Sequence, residues 1–357
     1  MFTMGYDFNL EVHKLTLEPE NVFTYLSGYN CLYVDSGRSC IKLLCQLIPD
    51  SKLLVPAFSC YSVIYGFVNG VEPVFYAVND DFSIDFDDLI SKITPEVKGI
   101  YITNYFGHFM SDEDAEKINS LKEKYGLVVF EDNTQSVFSG APKVGDYCLA
   151  SIRKWFAVPD GGVIYSKNPL DAIDVSKLSK NSKQNDKLYP QIIKSMILKG
   201  FIDCPVNFVV DLFAKVENEL NEYADNNEIF LMSDFTEFIF KCNDLPWNIG
   251  KRKENEKYLR TLIHSPYLRV AIPELNASDC PFNLPMYCTH RDEMWDYLVN
   301  NYNIYPSVLW RTYQYDPVKD IGLTSKMGHE IISFPIDQRY SKENMEYLAD
   351  AINSFKV

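Results

Sequence analysis

Residues 97–132 read "VKGIYITNYFGHFMSDEDAEKINSLKEKYGLVVFED", and this stretch decides the fold. It opens with an apolar, strand-like run that breaks at Gly107. A helix signal follows, with Ser111 as the cap, acidic residues in the first turn, basic residues late and Gly126 at the end. The last residues, "LVVFED", predict a buried strand. A strand, a helix and a buried strand in this order predict two parallel strands joined by a helix.

The same alternation precedes this stretch in the chain. "CLYVDS", at residues 31–36, predicts a strand, and the following "GRSCIKLLCQLI" has apolar residues at helical spacing. "SKLLVPAF" and "VEPVFYAV" predict two more short strands, with a helix-compatible stretch between them that ends at Gly70. We therefore expect an α/β protein with a mostly parallel central sheet flanked by helices.

The second half of the chain has a different pattern. Residues 170–245 lose the alternation and read as a divergent, mainly helical region, interrupted by Pro205. A long helix, several short strands and a closing helix then predict a smaller α+β unit. We expect a large α/β domain at residues 1–245 and a small C-terminal domain at residues 246–357. They are expected to pack together, because no low-complexity linker separates them.

Composition excludes several classes of protein. A net charge of −15 over 357 residues opposes binding to nucleic acid, which needs a basic surface. The first residues show no basic segment followed by an apolar core, and no apolar run is long enough to span a bilayer, so we expect a cytoplasmic protein without a membrane partner. The nine cysteines are scattered, which predicts buried free thiols. Neither they nor the five histidines have metal-binding spacing, so no metal is expected.

Two groups of polar residues fall at the predicted carboxyl ends of strands, where open α/β sheets bind their ligands. "YVDSGRS", at residues 33–39, leads from a strand into a helix, and such a turn either binds an anion or simply caps the helix. "VVFEDNTQS" ends a buried strand with Asp132 and Gln135. A buried carboxylate needs a partner such as a cationic ring nitrogen, unless Asp132 only caps the next turn.

A third polar group is Lys154, in "SIRKWFAVPDGG" at residues 151–162. Taken alone, this lysine reads as a solvated surface charge. An apolar neighbourhood favours the neutral, nucleophilic amine, which forms a Schiff base with a carbonyl group. An anion-binding turn, a strand-end acid, a lysine 22 positions later and a Gly-Gly turn occur here in one order, which favours the catalytic interpretation.

This arrangement resembles the DegT/DnrJ/EryC1/StrS aminotransferases, a branch of the fold-type-I enzymes that depend on pyridoxal 5′-phosphate. The likeness runs through most of the chain and is densest from about residue 30 to residue 166. "VGDYCLASIRKWFAVPDGG" is similar to the family's block around the lysine. The spacing from the lysine to the glycine pair is the same, whereas the approach to the lysine is two residues shorter.

The resemblance implies a role for each matching residue. Lys154 would hold pyridoxal phosphate as an internal aldimine and move a proton on the substrate. Asp132 would pair with the ring nitrogen of the cofactor, and Gln135 would hydrogen-bond the ring hydroxyl.

The phosphate of the cofactor would be held by Ser151 and by the turn at the start of the first helix, formed by Gly37, Arg38 and Ser39. The family usually has a small residue or Thr at the position of Arg38, so this arginine would bind either the phosphate or the substrate.

Three further positions depart from the family's pattern. The aromatic residue that stacks on the ring should lie near Cys60, so either Tyr61 or the cysteine would take that role. Leu231 stands where the family often has a polar residue that reaches into the neighbouring subunit's site, and Asn226 or Asn227 would substitute for it. Asp160 replaces the usual Glu before the glycine pair.

The resemblance implies a homodimeric aminotransferase. Its amino donor is expected to be glutamate and its acceptor a keto group of a nucleotide-linked sugar. Two alternatives remain at this point: a transaminase for an aminocyclitol or another small keto compound, and a protein that binds pyridoxal phosphate in a regulatory role. Related dehydratases have His in place of the lysine, so Lys154 argues against that activity.

Overall fold

The structure is a computed structural model, and it describes residues 3–5, 8–10, 20–203, 206–225, 228–272 and 276–357. The predicted interruption at Pro205 and the two asparagines Asn226 and Asn227 lie outside the described residues. Within those ranges, no helix has both the length and the apolar character needed to cross a bilayer.

The helices of the described residues alternate with strands in the first half of the chain and dominate the middle. They are α1 (Val22–Tyr25), α2 (Gly37–Leu44), α3 (Tyr61–Ile64), α4 (Phe86–Ser91), α5 (Asp112–Tyr125), α6 (Leu188–Leu198), α7 (Val206–Asp225), α8 (Asp234–Lys241), α9 (Leu245–Leu262), α10 (Arg291–Tyr302), α11 (Thr324–Glu330) and α12 (Lys342–Ser354).

The strands of the same residues are short. They are β1 (Met4–Gly5), β2 (Asn30–Val34), β3 (Lys52–Pro56), β4 (Glu72–Tyr76), β5 (Val97–Thr103), β6 (Val128–Asp132), β7 (Tyr147–Ala150), β8 (Gly162–Ser166), β9 (Ser179–Lys180), β10 (Phe230–Leu231), β11 (Leu268–Val270), β12 (Leu284–Cys288), β13 (Ile304–Tyr305) and β14 (Ile331–Phe334).

The central sheet has nine strands in the order β4-β3-β5-β6-β7-β8-β2-β10-β9. Strands β4, β3, β5, β6 and β7 are parallel, which confirms the prediction of a mostly parallel sheet. Strand β8 is antiparallel to both of its neighbours. Strand β2 does not pair with β3, the next strand along the chain. It pairs with β8, and Val34 lies opposite Gly162.

The stretch at residues 97–132 folds as predicted, into β5, α5 and β6. The Ser111 hydroxyl accepts a hydrogen bond from the Asp114 amide, and Gly126 ends the helix in the left-handed conformation with φ of 64°. The first strand ends at Thr103, earlier than expected. The chain leaves the sheet there and turns at Phe106 and Gly107, both of which have positive φ.

The helix expected to run to Gly70 is a single turn, α3, and this part of the prediction is wrong. Tyr65 closes the turn by donating its amide to the Tyr61 carbonyl. Gly66 then lies so close to the Ser62 carbonyl oxygen that a Cβ on it would be 2.0 Å from that atom. Only glycine, which has no Cβ, fits at this contact, and the helix does not continue past it.

The C-terminal residues form an antiparallel sheet in the order β11-β12-β14. Helices α9, α10 and α12 bury Leu259, Leu298 and Leu348 against it, together with Phe334 from β14. This matches the predicted α+β character. Helix α9 begins at Leu245, next to the proposed domain boundary, and the boundary itself stays a prediction.

The contact between β8 and the loop after β2 requires a glycine. A Cβ on Gly162 would lie 2.4 Å from the Ser36 carbonyl oxygen, whereas a Cβ on Gly250, in helix α9, would have no atom of the described residues within 4 Å. We expect Gly162→Ala to lower the free energy of unfolding by about 1–3 kcal/mol through overpacking. Gly250→Ala should raise it by about 0.5–1 kcal/mol, because alanine favours a helix.

Urea denaturation followed by circular dichroism measures both changes. A Gly162→Ala variant as stable as the wild type would show that β8 does not need this close approach.

Candidate active site

A cleft of about 150 Å³ opens at the carboxyl edge of the central sheet. It is lined by residues that follow β2, β6 and β7, and by the residues just before β8. Because β8 runs in the opposite direction, its beginning meets the ends of the parallel strands. Six of the predicted site residues line this cleft: Gly37, Arg38, Asp132, Gln135, Ser151 and Lys154.

Asp132 is a buried carboxylate at the end of β6. One oxygen accepts a hydrogen bond of 2.7 Å from the Tyr101 hydroxyl, and the other accepts one of 2.9 Å from the Thr134 amide. Burial, and next the negative Asp132, raise the pKa of Tyr101 well above its usual value, so this phenol remains a donor. Two donors thus fix the carboxylate while it still lines the cleft.

Thr134 connects the loop after β6 to the turn that carries Lys154. Its side-chain oxygen accepts a hydrogen bond from the Ser151 amide at 3.0 Å, and its carbonyl accepts one from the Trp155 indole at 2.8 Å. Lys154 lies between these two anchored residues, half-buried, at the end of a short 3₁₀ turn. The structure therefore holds the backbone of the lysine from both sides.

Residues of the C-terminal part of the chain support Trp155. The Arg252 guanidinium lies 4.5 Å from the centre of the indole and is itself fully buried. Gln338 accepts a hydrogen bond from Arg252 and donates one of 2.8 Å to the Trp155 carbonyl. Phe282 packs against the ring, edge to face, at 5.2 Å. The tryptophan beside the lysine is thus a structural anchor, which spacing alone did not indicate.

Helix α2 points its N-terminus at the cleft. Ser36 caps it by accepting a hydrogen bond from the Ser39 amide. Gly37 lies against Ser151, where a Cβ would be 3.0 Å from the serine Cβ. A helix N-terminus next to a serine hydroxyl suits an anionic group. Ser39 itself is buried one residue further in and is not among the lining residues, so its predicted phosphate contact finds no support in this geometry.

The two residues considered for ring stacking lie in different places. Cys60 lines the cleft, but Tyr61 is 53% exposed and packs against Tyr65 and Tyr315. Trp310 is an aromatic residue that does line the cleft, where it packs against Phe58. The geometry therefore favours Cys60 or Trp310 over Tyr61 for contact with a bound ring.

Two carboxyl groups, the buried Asp160 and the half-buried Asp35, also line the cleft, and the sequence did not indicate them as site residues. Asp160 accepts hydrogen bonds from the Ser233 amide and from the hydroxyls of Ser233 and Thr236, at the start of α8. Burial is the main cause that raises the pKa of Asp160, to about 6, and the negative Asp35 adds to it. Burial likewise raises the pKa of Asp35, which Arg153 partly opposes.

The region after β8 supplies a further part of the lining, with Asn181, Gln184, Lys187, Glu228 and Phe230. These residues lie in the divergent region at residues 170–245. No strand or motif signal marks them in the sequence, so they were missed. Leu231, predicted to fall at a position that contacts a neighbouring subunit, ends β10 and pairs with Val34 of β2.

The lining residues fit pyridoxal phosphate. A buried carboxylate faces the cleft from β6, a lysine follows β7, and a helix N-terminus meets a serine at one side. These are the groups needed for a ring nitrogen, an aldehyde and a phosphate.

The raised pKa of Asp160 predicts a pH-dependent stability. The native state binds this proton more tightly than the unfolded chain, so the stability contributed by protonated Asp160 is lost as the pH rises towards and through 6. Between pH 5 and pH 7 the loss should be about 1 kcal/mol. In Asp160→Asn, which cannot titrate, we expect this part of the pH dependence to vanish.

Urea unfolding of both proteins at pH 5 and pH 7 isolates the Asp160 contribution, because all other groups are shared. Equal pH dependence in the two proteins would mean that Asp160 is ionised throughout this range.

Solved structures share this fold over most of their length. The sugar aminotransferase CalS13 from Micromonospora echinospora is 15% identical, with a TM-score of 0.65 over 96% of this chain and 94% of that chain. DesI, in a structure with its TDP-sugar product, is 12% identical, with a TM-score of 0.64 over 93% and 82%. NtdA from Bacillus subtilis, with bound cofactor PMP, is 17% identical, with a TM-score of 0.64 over 93% and 74%.

A curated protein matches part of the sequence. Cystathionine gamma-synthase/O-acetylhomoserine (thiol)-lyase from Bacillus subtilis is 30% identical over 111 residues, which cover 30% of this chain and 29% of that protein. The match thus spans under a third of the relative.

A family model matches a longer part of the sequence. The sequence model of the DegT/DnrJ/EryC1/StrS aminotransferase family matches residues 16–199, just over half of the chain. Aminotransferases of this family use pyridoxal 5′-phosphate, which is the predicted cofactor. The fold-type-I architecture predicted from the sequence is confirmed by the structural relatives. The chain belongs to the DegT/DnrJ/EryC1/StrS aminotransferase family.

Proposed function

We propose that this protein is a pyridoxal phosphate-dependent aminotransferase that moves an amino group from glutamate to a keto group of a nucleotide-linked sugar. The observation that carries the proposal is the presence of Lys154 and the buried carboxylate of Asp132 in one cleft. When bound, pyridoxal phosphate supplies an electron sink for the carbon that loses or gains a proton. Residues of the chain bind and position the cofactor and the substrate, and transfer the proton.

Lys154 has two roles in this proposal. Its Nζ would hold the aldehyde carbon of the cofactor, and as a free amine the same group would carry the proton at the substrate carbon. The hydrogen bonds of Thr134 to the neighbouring Ser151 and Trp155 fix the backbone from which this side chain extends. A lysine positioned in this way needs little reorganisation before it reacts.

Asp132 keeps the ring nitrogen of the cofactor protonated by placing a negative charge next to it. Gln135 lines the same part of the cleft, and its side-chain oxygen already accepts a hydrogen bond from the Phe106 amide. Its amide nitrogen would donate to the ring hydroxyl. The N-terminus of α2 with Gly37, Arg38 and Ser151 would bind the phosphate.

The nature of the acceptor is inferred from the structural relatives. CalS13 is described as a sugar aminotransferase, and DesI was solved with a TDP-sugar product. These relatives favour a sugar acceptor for a chain of the same family and fold. The nucleotide-linked form of that sugar, glutamate as the donor and a homodimeric assembly remain part of the proposal.

We expect Lys154→Ala to abolish covalent binding of the cofactor, because the variant has no amine at this position. After incubation with pyridoxal phosphate and reduction with borohydride, peptide mass spectrometry should find the adduct on Lys154 in the wild type. Turnover should fall by about 10²–10⁴-fold with the loss of the proton-transferring amine. Lys326→Ala, at an exposed position of α11, serves as the control and should behave like the wild type.

An adduct on another lysine, or none in the wild type, would refute the proposed role of Lys154. The acceptor is tested separately, by incubating the amino-loaded enzyme with nucleotide-linked keto-sugars and with keto-inositol. Amination of keto-inositol alone would refute the nucleotide-sugar acceptor and leave the aminotransferase proposal intact.

A further inference from the structure

Gln184 enters the cleft from the divergent region. It lies in a 3₁₀ turn, Ser182–Lys187, that follows β9. The backbone N–H of Gln184 closes the turn by donating a hydrogen bond of 3.3 Å to the Asn181 carbonyl. The side chain lines the cleft and is only 5% exposed. A glutamine amide is thus buried in the wall of a site that has no other assigned use for it.

Both polar atoms of this side chain lack a hydrogen-bond partner among the described residues. In the part of the chain that the structure describes, neither Oε1 nor Nε2 of Gln184 makes a hydrogen bond. By contrast, the other glutamine of the cleft, Gln135, accepts a hydrogen bond from the Phe106 amide. Burying an amide without partners is unfavourable, and such a group in a native protein calls for an explanation. A ligand that completes the bonds would provide one.

The chemistry of an amide restricts what that ligand is. The Nε2 group donates hydrogen bonds and Oε1 accepts them. A phosphate or carboxylate only accepts, and would leave Oε1 unpaired; an ammonium group only donates, and would leave Nε2 unpaired. Hydroxyl groups both donate and accept. A hydroxyl group is therefore a single group that can satisfy both polar atoms of Gln184.

We propose that Gln184 binds hydroxyl groups of the amino acceptor and selects polyhydroxylated ketones over other keto compounds. This inference rests on the proposed function, since it assigns Gln184 to the acceptor of that reaction. It covers the nucleotide-linked sugar and the cyclitol ketone, which share this chemistry. A site with a buried amide rejects an acceptor that lacks the hydroxyls, because the amide then stays unpaired.

The test compares Gln184→Met with the wild type. Methionine has a similar length and volume but no strong donor or acceptor. Gln314→Met, at an exposed position outside the cleft lining, is the matched control. The acceptors are a TDP-linked 4-keto-6-deoxyhexose, keto-inositol, and pyruvate as a ketone without hydroxyls. The amino-donor half-reaction is followed separately with glutamate, and stability by thermal melting.

For Gln184→Met we expect the KM of the better hydroxylated acceptor to rise by about tenfold or more. The glutamate half-reaction should stay within about twofold of the wild type, and the reaction with pyruvate should be unchanged or faster, because the variant has no amide left to stay unpaired. The melting temperature should not fall, because the substitution removes an unpaired buried amide. The acceptor whose KM rises, the TDP-linked sugar or keto-inositol, is the one whose hydroxyl groups Gln184 binds.

An unchanged KM for both hydroxylated acceptors would overturn the proposal. So would an equal loss with pyruvate, or a change of oligomeric state in size-exclusion chromatography, since either would assign Gln184 a structural role. If the wild type does not react with glutamate, the proposed function fails instead. Calorimetric binding of the TDP-linked sugar and of keto-inositol to the wild type and to Gln184→Met then decides the role of Gln184 alone, with equal affinities overturning it.

Discussion

The burial of one carboxylate, that of Asp132, determines how the rest of the site is built. An unpaired carboxylate at the end of a buried strand would be strongly unfavourable, so it must find donors. Tyr101 and Thr134 supply them. Thr134 also accepts the indole hydrogen bond of Trp155, next to Lys154. The group that satisfies the acid therefore also fixes the turn of the lysine, and the two reactive groups are positioned as one unit.

The features of the fold that are set by neighbouring residues could be predicted from the sequence. Helix α5 has its cap at Ser111 and its end at Gly126, and both signals act within a few residues. The pairing of β2 with β8 could not be predicted in this way. The two strands are apolar like the others, and apolar character does not specify which strand becomes the neighbour. The pairing brings Gly162 into close contact with Ser36, which lies far away in the sequence.

The same distinction applies to the site. Lys154 and Asp132 follow strands and stand at an informative spacing, so the sequence indicated them. Asp160 lines the cleft as a buried acid because Ser233 and Thr236, more than 70 positions later in the chain, hold it there. Gln184 lies in a region without βα alternation. Its significance is that its side-chain amide finds no hydrogen-bond partner in the ranges that the structure describes, which only a three-dimensional structure reveals.

The contacts of Trp155 with Arg252 and Gln338 restrict which parts of the chain can be exchanged independently. The turn that carries Lys154 belongs to the first half of the chain, whereas Arg252 and Gln338, which contact the adjacent Trp155, belong to the second half. A gene fragment that encoded the sheet alone would leave a large indole and its neighbours uncovered. Replacing the C-terminal part of the chain therefore preserves these contacts of Trp155 only if the replacement keeps an arginine and a glutamine at the two positions.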